Sequence, residues 1–349
     1  MKFKSLLILN LLNFGYKVNC QETSSTSKQS DIVQNFFEDT KVFFDNLNSS
    51  LFGIKTAKNS GSGRALSAAS NSLVEADSKQ FNLIAINEDE AKKWLRYSAL
   101  AYCPEDKVLN WTCPECLNDK NTTKIERYFI QNPKFENSGY VLADSIQRVI
   151  VVGFKGTKTT INWAMNLKTD YYDPNLADPY NDAKIHSGFY EMCQVLYPDM
   201  KKHLTKLIKK YPAYKIIMTG HSMGGALATL SAFSLVRDNL ISWEKLTLIT
   251  YGQPRVGNQE FADYLNSQHT IMTRVNREGD LVPTVPTPPL YYHHGHNFYI
   301  HFDNTVKNCL PTDLSWDCNT SPINMMFDYH FSFWDKKLDS KCGIEDGSE

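Results

Sequence analysis

Residues 215–228 read KIIMTGHSMGGALA, and this stretch decides the fold class. It opens as a short β-branched and apolar strand and ends in small residues that favour a helix. Between the two halves, Gly220 and Gly224 flank Ser222 in the spacing G-x-S-x-G of a nucleophile elbow. A serine on so sharp a strand-to-helix turn leaves little room beside it for anything but glycine. The stretch therefore predicts an α/β-hydrolase elbow with Ser222 as nucleophile, rather than a plain strand–turn–helix.

The serine needs two partners further along the chain, since a serine hydroxyl is a weak nucleophile at neutral pH. In this fold the order is serine, then acid, then histidine. Asp280 is the predicted acid because it closely follows a predicted strand, and Glu278 in the same loop is the rival, interpreted as a solvated turn residue. His330, the last histidine, is the predicted base in the aromatic run 328–334, which reads DYHFSFW.

The rest of the chain alternates strand-like and helix-like segments, which predicts a mostly parallel central sheet with crossover helices. The predicted strands are 149–154, 214–219, 246–250 and 271–275, and the predicted helices are 91–102 (with Asn87 as N-cap), 186–210, 223–239 and 259–268. We expect one α/β domain over residues 81–349.

The first 80 residues differ from this domain. Residues 1–4 carry two positive charges, and a short apolar run follows over residues 5–14, so residues 1–20 predict a signal peptide rather than an ordinary N-terminal helix. Residues 21–80 are rich in Ser, Asn and Lys and predict a pro-segment or flexible extension, with a small ordered subdomain as the alternative. Sequons at Asn48, Asn110, Asn121 and Asn319 are compatible with a secreted glycoprotein.

The net charge of −1, with no block of like charges, excludes the basic surface of a nucleic-acid binder and a polybasic membrane-surface domain. Beyond Cys20 the chain has seven cysteines, which in an exported protein predict three disulfides and one spare thiol. Cys193 is the natural odd one out because it falls inside a predicted helix. Cys113 and Cys116 favour a short-loop disulfide over a zinc or redox site.

The run His293-His294-Gly295-His296 raises the question of a metal site. No acidic residue stands at a regular ligand spacing, and prolines crowd the segment. We therefore expect a loop of packing and surface histidines, with neither a metal nor an organic cofactor.

The order of the motifs resembles that of the fungal class 3 lipases, most closely the Mucor-type triacylglycerol lipases. The resemblance covers nearly all of residues 82–343. It is carried by residues 98–103 (SALAYC), 111–113 with Cys116, 154–157 (FKGT), 161–163 (INW), 186–189 (HSGF), the Ser222 elbow, 251–258 (YGQPRVGN), 280–283 (DLVP) and His330.

The resemblance implies a catalytic triad of Ser222, Asp280 and His330. It implies an oxyanion hole formed by Thr157, through its backbone N–H and hydroxyl, and by the backbone N–H of Met223. It also implies a helical amphipathic lid within 158–167, carrying Ile161 and Trp163. The implied disulfides are Cys103–Cys342, Cys113–Cys116 and Cys309–Cys318, which leave Cys193 free.

Three positions depart from the family pattern. Lys155 stands where the oxyanion motif usually has arginine, and the Asp280 loop is one residue longer, which keeps Glu278 in question. Residues 168–173 (KTDYYD) make the end of the lid more polar than strong interfacial activation requires.

Together these features predict a secreted, extracellular triacylglycerol lipase that forms an acyl-enzyme on Ser222. Its partner would be a lipid ester at an interface, contacted transiently by a monomer, with no nucleic acid involved. A feruloyl esterase or a phospholipase A1 on the same scaffold is the alternative, favoured less because Trp163 suits long acyl chains. A catalytically silent lipid-binding or interaction protein is the alternative from another class.

Overall fold

The computed structural model describes residues 86–117, 125–132, 137–157, 170–310, 318, 327–338, 342 and 344–346. The predicted signal peptide, the predicted extension and the predicted lid residues Ile161 and Trp163 lie outside the described residues. In the part that is described, no helix has the length and apolar character needed to cross a membrane.

Five parallel strands form the centre of the main sheet, which confirms the predicted fold class. In chain order they are β3 (Val149–Phe154), β6 (Lys215–His221), β7 (Leu246–Tyr251), β8 (Ile271–Arg277) and β9 (His296–Ile300). Antiparallel strands extend both sides: β1 (Ile125–Asn132) and β2 (Asn137–Asp144) beside β3, and β10 (Val306–Cys309) beside β9. Sequence patterns predicted the first four parallel strands but neither β9 nor these antiparallel edges.

In the described part of the chain, four helices of eight residues or more cover the sheet: α1 (Glu88–Leu100), α4 (Ser187–Lys210), α5 (Met223–Arg237) and α6 (Gln259–Asn266). The helix α1 begins as predicted, since the Asn87 side chain accepts a hydrogen bond from the Glu90 N–H at 2.9 Å. Shorter elements are α2 (Glu105–Asn110), α3 (Pro114–Leu117), α7 (Phe327–His330), the pair β4 (Tyr171–Tyr172) and β5 (Ile185–His186), and the small sheet of β11 (Ser332–Phe333), β12 (Lys336–Leu338) and β13 (Ile344–Asp346).

The core lies in two apolar layers, one on each face of the sheet. Strand β6 contributes to both because successive side chains alternate in direction: Ile216 and Met218 join one cluster, and Ile217 joins the other. The first cluster packs the sheet against α4, α5 and α6, and the second packs it against α1. Every residue from Met223 to Leu235 of α5 is buried, so the helix that follows Ser222 is enclosed by protein.

Among the cysteines that the structure describes, three disulfides form, Cys103–Cys342, Cys113–Cys116 and Cys309–Cys318, which are the pairs that the family resemblance implies. Cys193 is free and buried in α4, where its sulfur lies 3.2 Å from the Ser231 hydroxyl and burial raises the pKa of its thiol to about 12. The segment around Cys116 was expected to be a loop. Part of it is the one-turn helix α3, which is held because Arg96 donates to the carboxylate and the carbonyl of Glu115.

We predict that the disulfides differ in their effect on stability according to the loop that each one closes. Cys103 and Cys342 are 239 residues apart, whereas Cys309 and Cys318 are nine apart. By the chain-entropy model, serine at both positions should lower the free energy of unfolding by about 5 kcal/mol for the first pair and about 3 kcal/mol for the second. Denaturant titration of the two double variants measures the difference. Equal losses, or a larger loss for the short loop, would contradict the prediction.

Candidate active site

Ser222 occupies the sharp turn between β6 and α5 that the sequence predicts. Its backbone has φ 58° and ψ −133°, a region that residues other than glycine rarely adopt. The Ser222 N–H donates to the Tyr251 carbonyl at 2.8 Å, and the Ser222 carbonyl accepts from the Gly225 N–H at 2.9 Å. A Cβ on Gly224 would overlap the Phe154 carbonyl, so only glycine allows this close approach of strand and helix.

Asp280 and His330 form a fully buried pair at this turn. The His330 Nδ1 lies 3.0 Å and 2.9 Å from the two carboxylate oxygens of Asp280, which also accepts from the Val282 N–H at 2.9 Å. An ionised carboxylate can only accept, so Nδ1 carries the hydrogen and Nε2 presents its lone pair. A Cβ on Gly252 would come within 2.9 Å of both side chains, so this glycine makes room for the pair.

The two atoms that would exchange a proton are both unpaired. Within the described part of the chain, neither the Ser222 Oγ nor the His330 Nε2 has a hydrogen-bond partner, although both are buried. Buried polar atoms are nearly always hydrogen-bonded, so two orphans in one site point to function rather than to stability. Such catalytic hydrogen bonds are often long without substrate and shorten only in the reacting complex.

Glu278, the rival acid, is directed elsewhere. Its carboxylate accepts from the Phe302 N–H at 3.0 Å and lies 3.3 Å from the His301 Nδ1. Glu278 is a turn residue, as expected, and its side chain is partly solvated, at 26% exposed; it also binds the turn that follows β9. The next residue, Gly279, has φ 83°, and a Cβ there would overlap the Tyr329 ring. The loop therefore packs against the residue that precedes His330.

Met223 follows Ser222 directly in the chain, and Thr157 follows a glycine that lies against the elbow. Met223 is the first residue of α5, so its N–H belongs to the helix terminus that carries a partial positive charge. Thr157 follows Gly156, where a Cβ would lie 2.7 Å from the His221 carbonyl and 3.0 Å from the Ser222 Cβ. The loop that carries Thr157 is therefore in contact with the elbow.

Arg255, which sequence reasoning did not single out, holds the loop that follows Asp280. The Arg255 guanidinium donates to the carbonyls of Thr284 and Pro286, the latter at 2.9 Å. The backbone N–H of Arg255 donates to the Val285 carbonyl at 2.9 Å. Burial lowers the pKa of this side chain to about 10, which leaves it charged at neutral pH. Three consecutive carbonyls are thus fixed by one residue. The signal in the sequence that could have pointed to Arg255 was its place in the family-like run YGQPRVGN, residues 251–258.

The histidine cluster packs into the protein: the expectation of packing histidines is confirmed, and that of surface histidines is wrong for His294 and His296, which are buried. His293 donates from Nε2 to the Pro283 carbonyl at 2.7 Å, and the His294 carbonyl accepts from the Arg274 Nε at 2.7 Å. His294 is 1% exposed; burial, together with the charge of Arg274, lowers its pKa to about 3. Among the residues that the structure describes, no group of three or more His, Cys, Asp or Glu could hold a metal ion.

The family described as Lipase (class 3) matches residues 151–289. The chain is 30% identical over 283 residues to a lipase from Rhizopus niveus, which covers 78% of this chain and 69% of the relative. It is 25% identical over 263 residues to the secreted mono- and diacylglycerol lipase A of Penicillium cyclopium, which covers 70% of this chain and 83% of the relative.

Among solved structures, one described as a triacylglycerol lipase whose catalytic centre is a serine protease triad has a TM-score of 0.64 to this chain. The two are 27% identical, and the alignment covers 75% of this chain and all of that one. The similarity thus extends over the whole of the neighbour's fold.

The buried histidines predict a loss of stability in acid. His294 takes a proton near pH 6.5 in the unfolded chain but only near pH 3 in the folded one, so the unfolded state binds more protons between these values. Stability must therefore fall as the pH drops below 6.5. His294→Gln removes this titrating group. Between pH 7 and pH 5 the free energy of unfolding should therefore fall by about 2 kcal/mol more in the wild type than in the variant.

Urea titrations at both pH values measure this difference. The matched control is His269→Gln, because His269 is exposed. It should leave the pH dependence unchanged. If His294→Gln has the same pH dependence as the wild type, His294 is not held neutral in the folded protein.

Proposed function

Since the chain belongs to the class 3 lipase family and is a carboxylic ester hydrolase, we propose that it is a secreted lipase that hydrolyses triacylglycerols at lipid–water interfaces. The observation that carries the proposal is the buried Asp280–His330 pair beside the strained turn of Ser222. Each of these features has a cost in stability, and together they suit acyl transfer.

The proposed reaction has two steps. The Ser222 Oγ attacks the ester carbonyl carbon while the His330 Nε2 takes the hydroxyl proton, and Asp280 stabilises the resulting imidazolium. The carbon–oxygen bond to the alcohol then breaks, and His330 returns the proton to the departing oxygen, leaving an acyl-enzyme. Water enters, loses a proton to His330 and releases the fatty acid by the same sequence, which restores Ser222.

Negative charge on the carbonyl oxygen would be stabilised by the backbone N–H groups of Thr157 and Met223 and by the Thr157 hydroxyl. The N-terminus of α5 supports this role because its partial positive charge lies where the oxyanion forms. Loss of one such donor in comparable sites lowers turnover by about 10²–10³-fold.

Two sets of residues support a lipid substrate. The sequence predicts an amphipathic lid with Ile161 and Trp163. Two large side chains are exposed in the described structure: Tyr171 (40%), shortly after the predicted lid in the chain, and Leu290 (48%), from a distant segment. They are neighbours, since the Tyr171 hydroxyl donates to the Leu290 carbonyl at 2.5 Å. Secretion is supported by the predicted signal peptide, by the three disulfides and by the secreted relative from Penicillium.

One observation favours a more soluble ester, such as a feruloyl ester, as the alternative substrate. The segment from Asp170 to Asp173 is polar and largely exposed, and Asp173 forms an ion pair with Lys184 at 2.5 Å. A polar end of the lid reduces the free energy gained when the lid moves from water to a lipid surface, so we expect only moderate interfacial activation.

The triad itself gives the first test of the proposal. Ser222→Ala, Asp280→Asn and His330→Ala should each lower kcat for a nitrophenyl ester by orders of magnitude without unfolding the protein. Because the three act as a unit, Ser222→Ala/His330→Ala should be scarcely worse than either single variant. Glu278→Gln is the matched control and should retain activity. If Glu278→Gln were inactive and Asp280→Asn active, the assignment of the acid would be reversed.

The lid separates a lipase from a soluble-substrate esterase. We expect the predicted lid to cover the acyl-binding groove in water and to move away from it in an open state. Opening in water would expose apolar surface of the lid and the groove, at a cost of roughly 25 cal/mol per Å², and contact with a lipid surface removes that cost. Activity on a triglyceride should therefore rise once substrate exceeds its solubility. Trp163→Ala should reduce that rise and leave hydrolysis of a short soluble ester largely unchanged.

Leu109→Ala, at an exposed apolar residue of α2, is the control and should leave the rise unchanged. A smooth saturation curve through the solubility limit, the same in wild type and Trp163→Ala, would favour the feruloyl-type esterase instead.

A further inference from the structure

Two buried residues that the reaction does not use, Tyr102 and His221, connect the loop that carries Thr157, the Ser222 elbow and the His330 segment. Tyr102 follows α1, and its hydroxyl lies 2.7 Å from the Nδ1 of His221, the residue that precedes Ser222. The same hydroxyl is hydrogen-bonded to the backbone of Gly156, the residue that precedes Thr157. The His221 Nε2 lies 2.7 Å from the backbone carbonyl of His330.

The directions of these hydrogen bonds follow from the acceptors. A carbonyl oxygen can only accept, so the His221 Nε2 carries the hydrogen and donates to His330. The Nδ1 of a neutral imidazole is then an acceptor, and the Tyr102 hydroxyl must donate to it. Burial, together with the nearby His330 ring, lowers the pKa of His221 well below its ordinary value, which keeps the imidazole neutral.

The result is one continuous chain of hydrogen bonds. It runs from the Gly156 N–H to the Tyr102 oxygen, from the Tyr102 O–H to His221, and from His221 to the His330 carbonyl. The ring centroids of His221 and His330 are 4.3 Å apart, so the two imidazoles also pack together. Every link is buried, where a missing partner has a high cost.

We propose that Tyr102 and His221 are positioning residues, which hold the oxyanion loop and the His330 segment at fixed distances from Ser222. The inference rests on the proposed function, because it concerns the alignment of groups for acyl transfer. Within the described residues, neither Tyr102 nor His221 is hydrogen-bonded to the Ser222 Oγ or the His330 Nε2, although the His221 ring packs against that of His330. They act through the backbone of Gly156 and His330, and a displacement of even 1 Å of such groups lowers the rate of a preorganised reaction.

The sharpest variant is Tyr102→Phe, which deletes one oxygen atom and leaves the ring. It removes the acceptor of the Gly156 N–H and the donor to His221. We expect kcat on a soluble nitrophenyl ester to fall about tenfold, less than the 10²–10³-fold for a lost oxyanion donor, since the loop shifts but remains. KM should stay within about twofold, because the hydrogen-bond chain does not contact the substrate.

Variants of His221 test the other link. His221→Leu removes both hydrogen bonds, whereas the side-chain amide of His221→Gln can still donate to the His330 carbonyl. We expect His221→Gln to retain more kcat than His221→Leu. Adding Tyr102→Phe to His221→Leu should cost little more, because the coupling between the two residues is already lost.

The matched control is Tyr140→Phe, because Tyr140 is also fully buried and its hydroxyl makes one hydrogen bond, to the Tyr97 carbonyl at 2.5 Å. It should lower Tm about as much as Tyr102→Phe does and leave kcat unchanged. If both variants lower Tm alike and Tyr102→Phe keeps kcat within twofold of the wild type, the positioning role is refuted. A wild type without ester turnover would instead refute the proposed function on which that role depends.

Discussion

The backbone of Ser222 is the constraint on which the rest of the site depends. A non-glycine residue at φ 58° has a cost of about 1–3 kcal/mol and persists only where its surroundings fix it. Here α5 is buried from Met223 to Leu235, and the Tyr251 carbonyl accepts the Ser222 N–H. The two glycines of the elbow allow the strand and the helix to approach closely enough for both contacts. The core thus supplies the free energy that holds the serine in its strained form.

The parallel sheet then determines which residues can meet this serine. Ser222, Gly252 and Asp280 follow the successive strands β6, β7 and β8, whose carboxyl ends lie side by side at one edge of the sheet. His330 comes from a separate segment near the disulfide Cys103–Cys342. Its ring is fixed by Asp280 and its backbone by His221, so His330 is held from two directions. The site is therefore assembled from long-range contacts on a rigid edge.

The residues that sequence reasoning could place are those whose signal is local. The Ser222 elbow combines a strand, two glycines and a small-residue helix within fourteen positions, and Asp280 closely follows a recognisable strand. The sequence favoured Asp280 as the partner of His330 but left Glu278 as a rival, because both lie in one loop and only the fold gives the direction of each side chain. The Arg255 clamp, the burial of the histidine cluster and the hydrogen bonds of Tyr102 also escaped prediction. Each depends on contacts between segments far apart in the chain.

The antiparallel strands β1, β2 and β10 were missed for a related physical reason. Residues 125–132 read IERYFIQN, where polar side chains alternate irregularly, and only their antiparallel pairing with β2 makes them a strand. Strand β9 begins at His296, inside a run that reads as a histidine-rich loop. Its parallel register with β8 and its burial are properties of the whole sheet.

The central claim is that one serine, Ser222, is activated by this architecture. Reaction of the folded protein with a fluorophosphonate, followed by intact mass measurement and peptide mapping, tests it most directly. The account predicts a single adduct per chain, located on Ser222 and abolished when the protein is unfolded beforehand. No adduct on the folded protein, or an adduct on a different residue such as Ser187, would contradict it.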